Sequence, residues 1–334
     1  MPSFCRHNRL VQNCPICARE QAVEMRPVVT SGAPKVSAPR PASGASRGET
    51  GGGPATRSRS AARGANLRVR RVARGVDDGY RTPLAPGLRS SADAERLAGE
   101  LAFAAHRLQV LETRPPGLYA EAAGSGDVEE RAWLAFLIAY LSPLDDDDDP
   151  FASVSALRTT WASGELPALD DVRTGPRSAH DPARGDETLR AYRAWAQRAG
   201  SQEAAFVGEP GWTAERRFDR VFERLALPGL TRDARYDLLV SLGRLGVFEL
   251  RGGRLHLVGD NEPTVAAKRA LGIGDSLLLE RRGGELALAC DVPLEALDLG
   301  FYNWGAGLRV RLGLPRDEEP DPDVVQRCRS ALGL

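Results

Sequence analysis

Apolar residues recur at spacings of three and four over most of the chain after Ser91, and that period limits what the chain can fold into. Ala92–Glu112 places Leu97, Leu101, Ala104, Leu108 and Leu111 on one face, the pattern of an amphipathic helix. Ser91 or Asp93 is placed to cap its start, and Pro115-Pro116-Gly117 closes it. The same reading predicts helices over Val128–Leu141, Pro150–Ser163, Glu187–Ala199, Gln202–Val207, Thr213–Leu225 and Thr231–Leu245. Five more follow, over Pro263–Leu271, Ser276–Arg282, Leu286–Ala289, Leu294–Trp304 and Pro322–Ala331. Glu165–Gly185 reads as irregular, and Phe248–Val258 alternates about Gly252-Gly253, so a small hairpin is expected there. The expected body is all-α, over 85–334, with at most that minor hairpin.

The N-terminal residues differ in kind. Cys5, His7, Cys14 and Cys17 fall within thirteen residues, as Cys-x-His-x6-Cys-x2-Cys. A Cys-x2-Cys knuckle aims two thiolates at one ion, and zinc accepts four S/N ligands tetrahedrally. With all four positions filled, no place is open for a reacting water, so a structural Zn2+ in a module of residues 1–20 is expected; free thiols are the alternative. Residues 21–80 are rich in Pro, Gly, Ser, Ala and Arg without apolar periodicity, the composition of a linker that cannot offset the entropy of ordering.

Charge is unevenly distributed. Met1–Arg74 holds 14 Lys+Arg against 3 Asp+Glu, net +11, and the remainder is correspondingly acidic because the whole chain has 45 of each. A basic arm suggests a polyanionic partner, although only two lysines occur, Lys35 and Lys268, and an arginine-rich composition could equally give a solvated linker. No apolar run approaches eighteen residues and no secretory signal core is present, so neither a membrane span nor export is expected. Isolated Cys290 and Cys328 together with the zinc thiolates fit a reducing cytoplasm.

The sharpest motif in the body is Ala267-Lys268-Arg269-Ala270-Leu271-Gly272-Ile273-Gly274-Asp275. One helix ends at Leu-Gly-Ile-Gly and the next begins at once. Two glycines permit a tight bend, and the amides at the start of the second helix then face outward, an arrangement that binds phosphate. Lys268, Arg269, Gly272, Ile273, Gly274, Arg281 and Arg282 form the expected DNA-contacting set. An ordinary glycine C-cap followed by an Asp275 or Ser276 N-cap is the alternative, and Asp275 itself opposes a phosphate.

A helical body with this turn late in the chain resembles the helix–hairpin–helix DNA glycosylase superfamily, whose hairpin reads roughly Leu-Pro-Gly-Val-Gly and whose catalytic aspartate follows some twenty residues on. Asp291 and Asp298 bracket that place, and Leu141-Ser142 is similar to the family's Leu-Ser step. Ser276 stands where bifunctional members carry lysine, which leaves Schiff-base chemistry without its amine. Arg217-Phe218-Asp219-Arg220-Val221-Phe222-Glu223-Arg224, with Phe103-x-x-His106-Arg107 upstream, resembles more narrowly the α-glutamyl/putrescinyl thymine pyrophosphorylases. That resemblance implies displacement of pyrophosphate from an activated 5-methyluracil-type base in DNA by a small amine co-substrate.

Either chemistry needs the base rotated out of the duplex and held by a stacking wall, for which Trp161, Trp195, Trp212, Tyr302 and Trp304 are candidates. A carboxylate would stabilise developing positive charge or accept a proton from the attacking amine. Asp298 and Asp291 are the catalytic candidates; a helix cap or structural ion pair is the competing role for each. Arg217, Arg220 and Arg224, with His106 and Arg107, are candidates for a phosphate leaving group; Glu215, Asp219 and Glu223 interleave, so a salt-bridged helix is the alternative. Asp145–Asp149 reads as a solvated turn or capping run, with a cation site as the alternative. A monofunctional glycosylase and a non-catalytic nucleic-acid-binding zinc adaptor remain as the other functions.

Overall fold

The computed structural model describes residues 75–334, and the expected zinc ligands Cys5, His7, Cys14 and Cys17 lie outside them. Among the described residues the secondary structure is entirely helical. The helices are α1 (Ser91–Thr113), α2 (Leu118–Ala123), α3 (Val128–Leu141), α4 (Ala152–Leu157), α5 (Gly185–Ala199) and α6 (Gln202–Val207). They continue with α7 (Ala214–Arg224), α8 (Arg232–Arg244), α9 (Glu262–Leu271), α10 (Ser276–Cys290), α11 (Ala296–Ala306) and α12 (Pro322–Leu332). None is long and apolar enough to cross a membrane.

Two groups of helices share one core. Helix α3, buried from Ala132 to Leu141 except for Leu134, packs against α2, α4, α6 and α8. Around it Trp133, Phe136, Tyr140 and Tyr192 stack in succession, with Phe136 and Tyr192 centroids 3.7 Å apart. Helix α1 organises the second group, lying against α11 and α12, while α9 and α10 close over α11. The α1–α8 contact joins the groups.

Helix starts follow the expected chemistry in most places. Asp127, Thr213, Thr231, Asn261 and Asp275 each accept a backbone N–H of the first turn of α3, α7, α8, α9 and α10, satisfying donors that a helix cannot. Helix α1 differs: the Asp78 carboxylate accepts Ser91 N–H at 3.0 Å, and Asp93 instead holds Gly75 N–H at 3.1 Å. The segment before α1 is thereby fixed to the body. Gly87 N–H donates to Ala270 O at 3.0 Å, so that segment crosses the C-terminal end of α9.

The expected hairpin does not form. Over Phe248–Val258 the alternating Leu255 and Leu257 are buried, but their N–H groups go to the Glu280 carboxylate of α10, at 2.7 and 2.9 Å. Gly252 N–H goes to Glu295 at 2.9 Å. Glutamates from neighbouring helices supply the acceptors a partner strand would have supplied. The third expected helix is shortened to α4. The two expected helices about Gly283-Gly284 are one, α10, because a helical Gly283 lets Leu255 approach: a Cβ there would lie 2.8 Å from Leu255 Cδ1.

Candidate nucleic-acid interface

Helix α9 ends at Gly272, whose φ of 67° is left-handed and whose N–H returns to Lys268 O at 3.0 Å. Its exit is crowded, since a Cβ on Gly272 would lie 3.2 Å from Gly87 N. Glycine meets both demands. Ile273 then turns partly into the core, and Gly274 is exposed with open space around it. No acceptor among the described residues takes the Ile273 or Gly274 N–H. Asp275 caps α10 by accepting Leu278 N–H at 2.9 Å, so one first-turn donor is already used by a carboxylate.

Cations flank the turn on both sides. Lys268 Nζ reaches Gly259 O at 3.3 Å, and the Arg269 guanidinium stacks on Trp304 at 4.0 Å. Arg281 is exposed and Arg282 half-buried, and Glu285 pairs with both, at 3.5 and 2.8 Å. The chain enters the described body close by. Gly75 is bonded to Asp93, Asp93 O accepts Trp304 Nε1–H at 2.9 Å, and Trp304 is the residue that carries Arg269. Residue 75, the first described, is thus linked through Asp93 and Trp304 to Arg269.

The two candidate carboxylates have opposite surroundings. Asp298, in the first turn of α11, is 1% exposed. Its Oδ2 accepts Arg177 Nη2 at 2.6 Å and its Oδ1 accepts Arg232 Nη1. Arg177 also binds Asp237 of α8 through Nε and Nη2 at 2.7 and 3.0 Å, and Arg232 donates to the Leu255 and His256 carbonyls. This cluster joins α8, α11 and the irregular stretch before α5. Burial alone would lower the Arg177 pKa, but Asp237 and Asp298, with Asp233, outweigh it and hold the guanidinium charged well above its ordinary value. Burial pushes the Asp237 carboxyl up, with Arg177 pulling the other way. The two directions agree with the geometry, since Arg177 meets two carboxylates while Asp237 meets one buried guanidinium and is repelled by Asp298. Both Asp298 oxygens are thus taken, as in a structural ion pair.

Asp291 ends α10 in the left-handed conformation, with its side chain 82% exposed and 3.5 Å from Arg327. It terminates α10; it does not cap α11, whose N-cap is Glu295. Fifteen helical residues separate it from the turn, roughly 22 Å along the axis. The structure does not bring it to the turn. It places it with His106, Glu112 and Arg244 on a cleft of about 220 Å³.

The phosphate candidates are also occupied or dispersed. Arg217 is buried and donates to the Val207, Glu249 and Trp212 carbonyls, clamping the loops around α7. Arg220 pairs with Glu223 at 3.2 Å and Arg224 lies over Trp212, so the three do not form one free guanidinium set. Arg107 is buried against the Tyr119 hydroxyl at 3.3 Å. His106 Nε2 meets Glu318 at 2.8 Å, and Arg114, then His106, hold that carboxyl down to about 2. Trp195, Trp212 and Trp304 are core residues. The aspartate run forms a turn, with Asp147 and Asp149 accepting N–H groups two residues on. No group of three or more His, Cys, Asp or Glu side chains among the described residues is arranged to hold a metal.

Arg177 and Arg232 were not legible as partners of Asp298. Arg177 stands in an irregular Gly-Pro-Arg and Arg232 opens a helix, and nothing local marks either for burial. Compared with known proteins, the chain matches no family model, no curated protein and no solved structure.

Proposed function

We propose that the protein binds duplex DNA through the α9–α10 turn and acts on a base of that duplex. The observation that carries this reading is the turn itself. Gly272 bends the chain, Ile273 anchors the bend in the core, and among the described residues the Ile273 and Gly274 N–H groups have no acceptor, with Lys268, Arg269 and Arg281 on the flanking helices. Unpaired backbone amides in a turn just before a helix, next to cations, form a concavity suited to a phosphate. The basic arm joined at Gly75 adds long-range attraction. A structural zinc held by Cys5, His7, Cys14 and Cys17 belongs to the same proposal.

The chemical part is that of the resemblance: displacement of pyrophosphate from a 5-methyl-activated uracil by an amine, or excision of a modified base. Asp298 is the carboxylate in the expected position after the turn. A non-catalytic adaptor is the second reading, favoured by one observation, the closure of Asp298 between Arg177 and Arg232.

Incubation with duplex DNA carrying the activated base separates these readings. Amine-dependent pyrophosphate release supports the transferase, and abasic sites without added amine support the glycosylase. DNA binding with every base unchanged supports the adaptor. Absence of DNA binding in low salt refutes all three.

A further inference from the structure

Two cysteines take no part in the turn or in the arginine–aspartate cluster. Cys290 is the last residue of α10, and Cys328 lies in α12. Both are free and fully buried. The two helices pack together, and the adjoining residues Asp291 and Arg327 approach to 3.5 Å as an ion pair. This packing sets the thiols against each other, and the Cys290 S–H donates to the Cys328 sulfur. That bond drives the Cys290 pKa up. It holds the Cys328 pKa below its ordinary value, with burial opposing and Arg327 assisting. Cys328 is therefore the thiol nearer to ionisation, and Cys290 stands in place to close on it. A free cysteine packs like any small apolar side chain; two in direct contact are also the pair from which a disulfide is made.

Access is the remaining requirement, because a buried thiol is inert. Helix α12 supplies it. Only Cys328 and Leu332 of this helix are buried. Its other ties are peripheral: Arg329 pairs with Glu95 at 2.6 Å, and the Tyr80 hydroxyl donates to Leu332 O. Few buried side chains place a helix at the low end of local stability, so α12 lifts from α10 at far less cost than opening the core. Lifting exposes Cys328 and Cys290, and docking returns them to contact. We propose that Cys290 and Cys328 form a reversible disulfide that locks α12 onto α10, made by exchange with a low-molecular-weight disulfide such as oxidised glutathione. The Cys328 thiolate attacks one sulfur of that disulfide, forming a mixed disulfide and releasing one small thiolate. On redocking, Cys290 loses its proton and attacks the Cys328 sulfur, expelling the second small thiolate. Both cysteines are oxidised, the small disulfide is reduced, and the two cysteine protons end on the two released thiols. An excess of the small thiol drives the sequence backward. Asp321 and Val324 of α12 line the cleft of about 220 Å³ beside His106 and Asp291, so the linked state also fixes that wall. The proposal does not depend on DNA binding.

The test equilibrates the full chain with mixtures of oxidised and reduced glutathione and maps linked peptides by mass spectrometry. The expected product joins Cys290 to Cys328 and is two hydrogens lighter than the reduced pair; excess reduced glutathione should remove it. Mapping separates this link from any among Cys5, Cys14 and Cys17. The link closes a loop over residues 291–327, so the melting temperature should rise by roughly 5–10 °C. Hydrogen exchange in α12 should slow while that in α3 stays the same. Cys328→Ala in the same mixtures should show neither the rise nor the slowing, which assigns both to this pair rather than to the N-terminal cysteines. Absence of a Cys290–Cys328 link in native protein at every glutathione ratio overturns the proposal, as does a link that forms only after denaturation. Glutathione retained on Cys328 as a stable mixed disulfide also overturns it, and so does a link that leaves exchange in α12 unchanged. The mapping uses wild type, so it is decisive even if Cys328→Ala does not fold.

Discussion

Replacing Asp298 by asparagine keeps the shape of the side chain and removes one negative charge from the centre of the molecule. The carboxylate serves two guanidinium groups, Arg177 at 2.6 Å and Arg232. Asparagine offers one acceptor oxygen, and its NH2 would face the other guanidinium, donor against donor. Arg177 would keep Asp237, and Arg232 would keep Asp233 at 3.2 Å and two carbonyls. Two charge-assisted hydrogen bonds are lost or weakened, at about 1.5–3 kcal/mol each. This matches the roughly 3–5 kcal/mol of a buried pair broken from one side. At about 2–4 °C per kcal/mol for a domain of this size, the melting temperature should fall by roughly 10 °C. Urea denaturation followed by circular dichroism measures the loss. Asp291→Asn is the internal control; it is exposed and should shift stability by no more than about 0.5 kcal/mol. If Asp298→Asn costs less than about 1 kcal/mol, the buried cluster does not hold α8 to α11 as described. If it leaves folding intact but removes an activity on DNA, the carboxylate acts chemically despite its arginines.

Further outcomes follow from the packing. Gly283→Ala should destabilise by about 1–3 kcal/mol, because its Cβ meets Leu255, whereas Gly284→Ala, with open space around it, should stabilise by about 0.5–1 kcal/mol; equal effects in thermal melts would contradict the α10 packing. Glu280→Ala should cost about 2–3 kcal/mol by stranding the Leu255 and Leu257 N–H groups, read as a lower urea midpoint. Glu318 has its folded pKa depressed from 4.5 to about 2, chiefly by Arg114 and then His106. Its contribution is therefore complete above about pH 4.5 and lost as pH falls toward 2; Glu318→Gln should flatten that part of the stability–pH curve. Elemental analysis of the full chain should find one zinc, and Cys14→Ser should lose it; stoichiometric zinc in the variant would reject the ligand set.

The parts of this fold that can be read from sequence are those with a complete local pattern. Helix α3 runs from Val128 to Leu141 as its apolar run and the Ser142-Pro143 stop dictate, and α6 keeps its expected bounds between Ser201 and Gly208. Misreadings arise where a distant partner overrides a local signal. Gly283-Gly284 reads as a break until Leu255 is seen to need the space. Alternation at Leu255 and Leu257 reads as a strand until Glu280 takes the backbone donors. Helix α2 follows Pro115-Pro116-Gly117 too closely to show a period. The turn at Gly272–Gly274 is legible because glycine spacing and capping are local properties. The surroundings of Asp298 are not, because Arg177 and Arg232 reach it from 121 and 66 residues away. Arg217 shows the same limit: its spacing suggests a phosphate clamp, and its actual acceptors are backbone carbonyls.

The most direct measurement of the central claim is the salt dependence of duplex binding by the full chain, with and without changes at the turn. Affinity should fall steeply as salt rises, and Lys268→Ala and Arg281→Ala should each reduce the slope of log K against log salt by about 1. Gly274→Pro, which deletes one N–H that has no acceptor among the described residues, should weaken binding at every salt concentration. Binding whose strength and slope are unchanged in all three variants would place the DNA elsewhere and contradict the account.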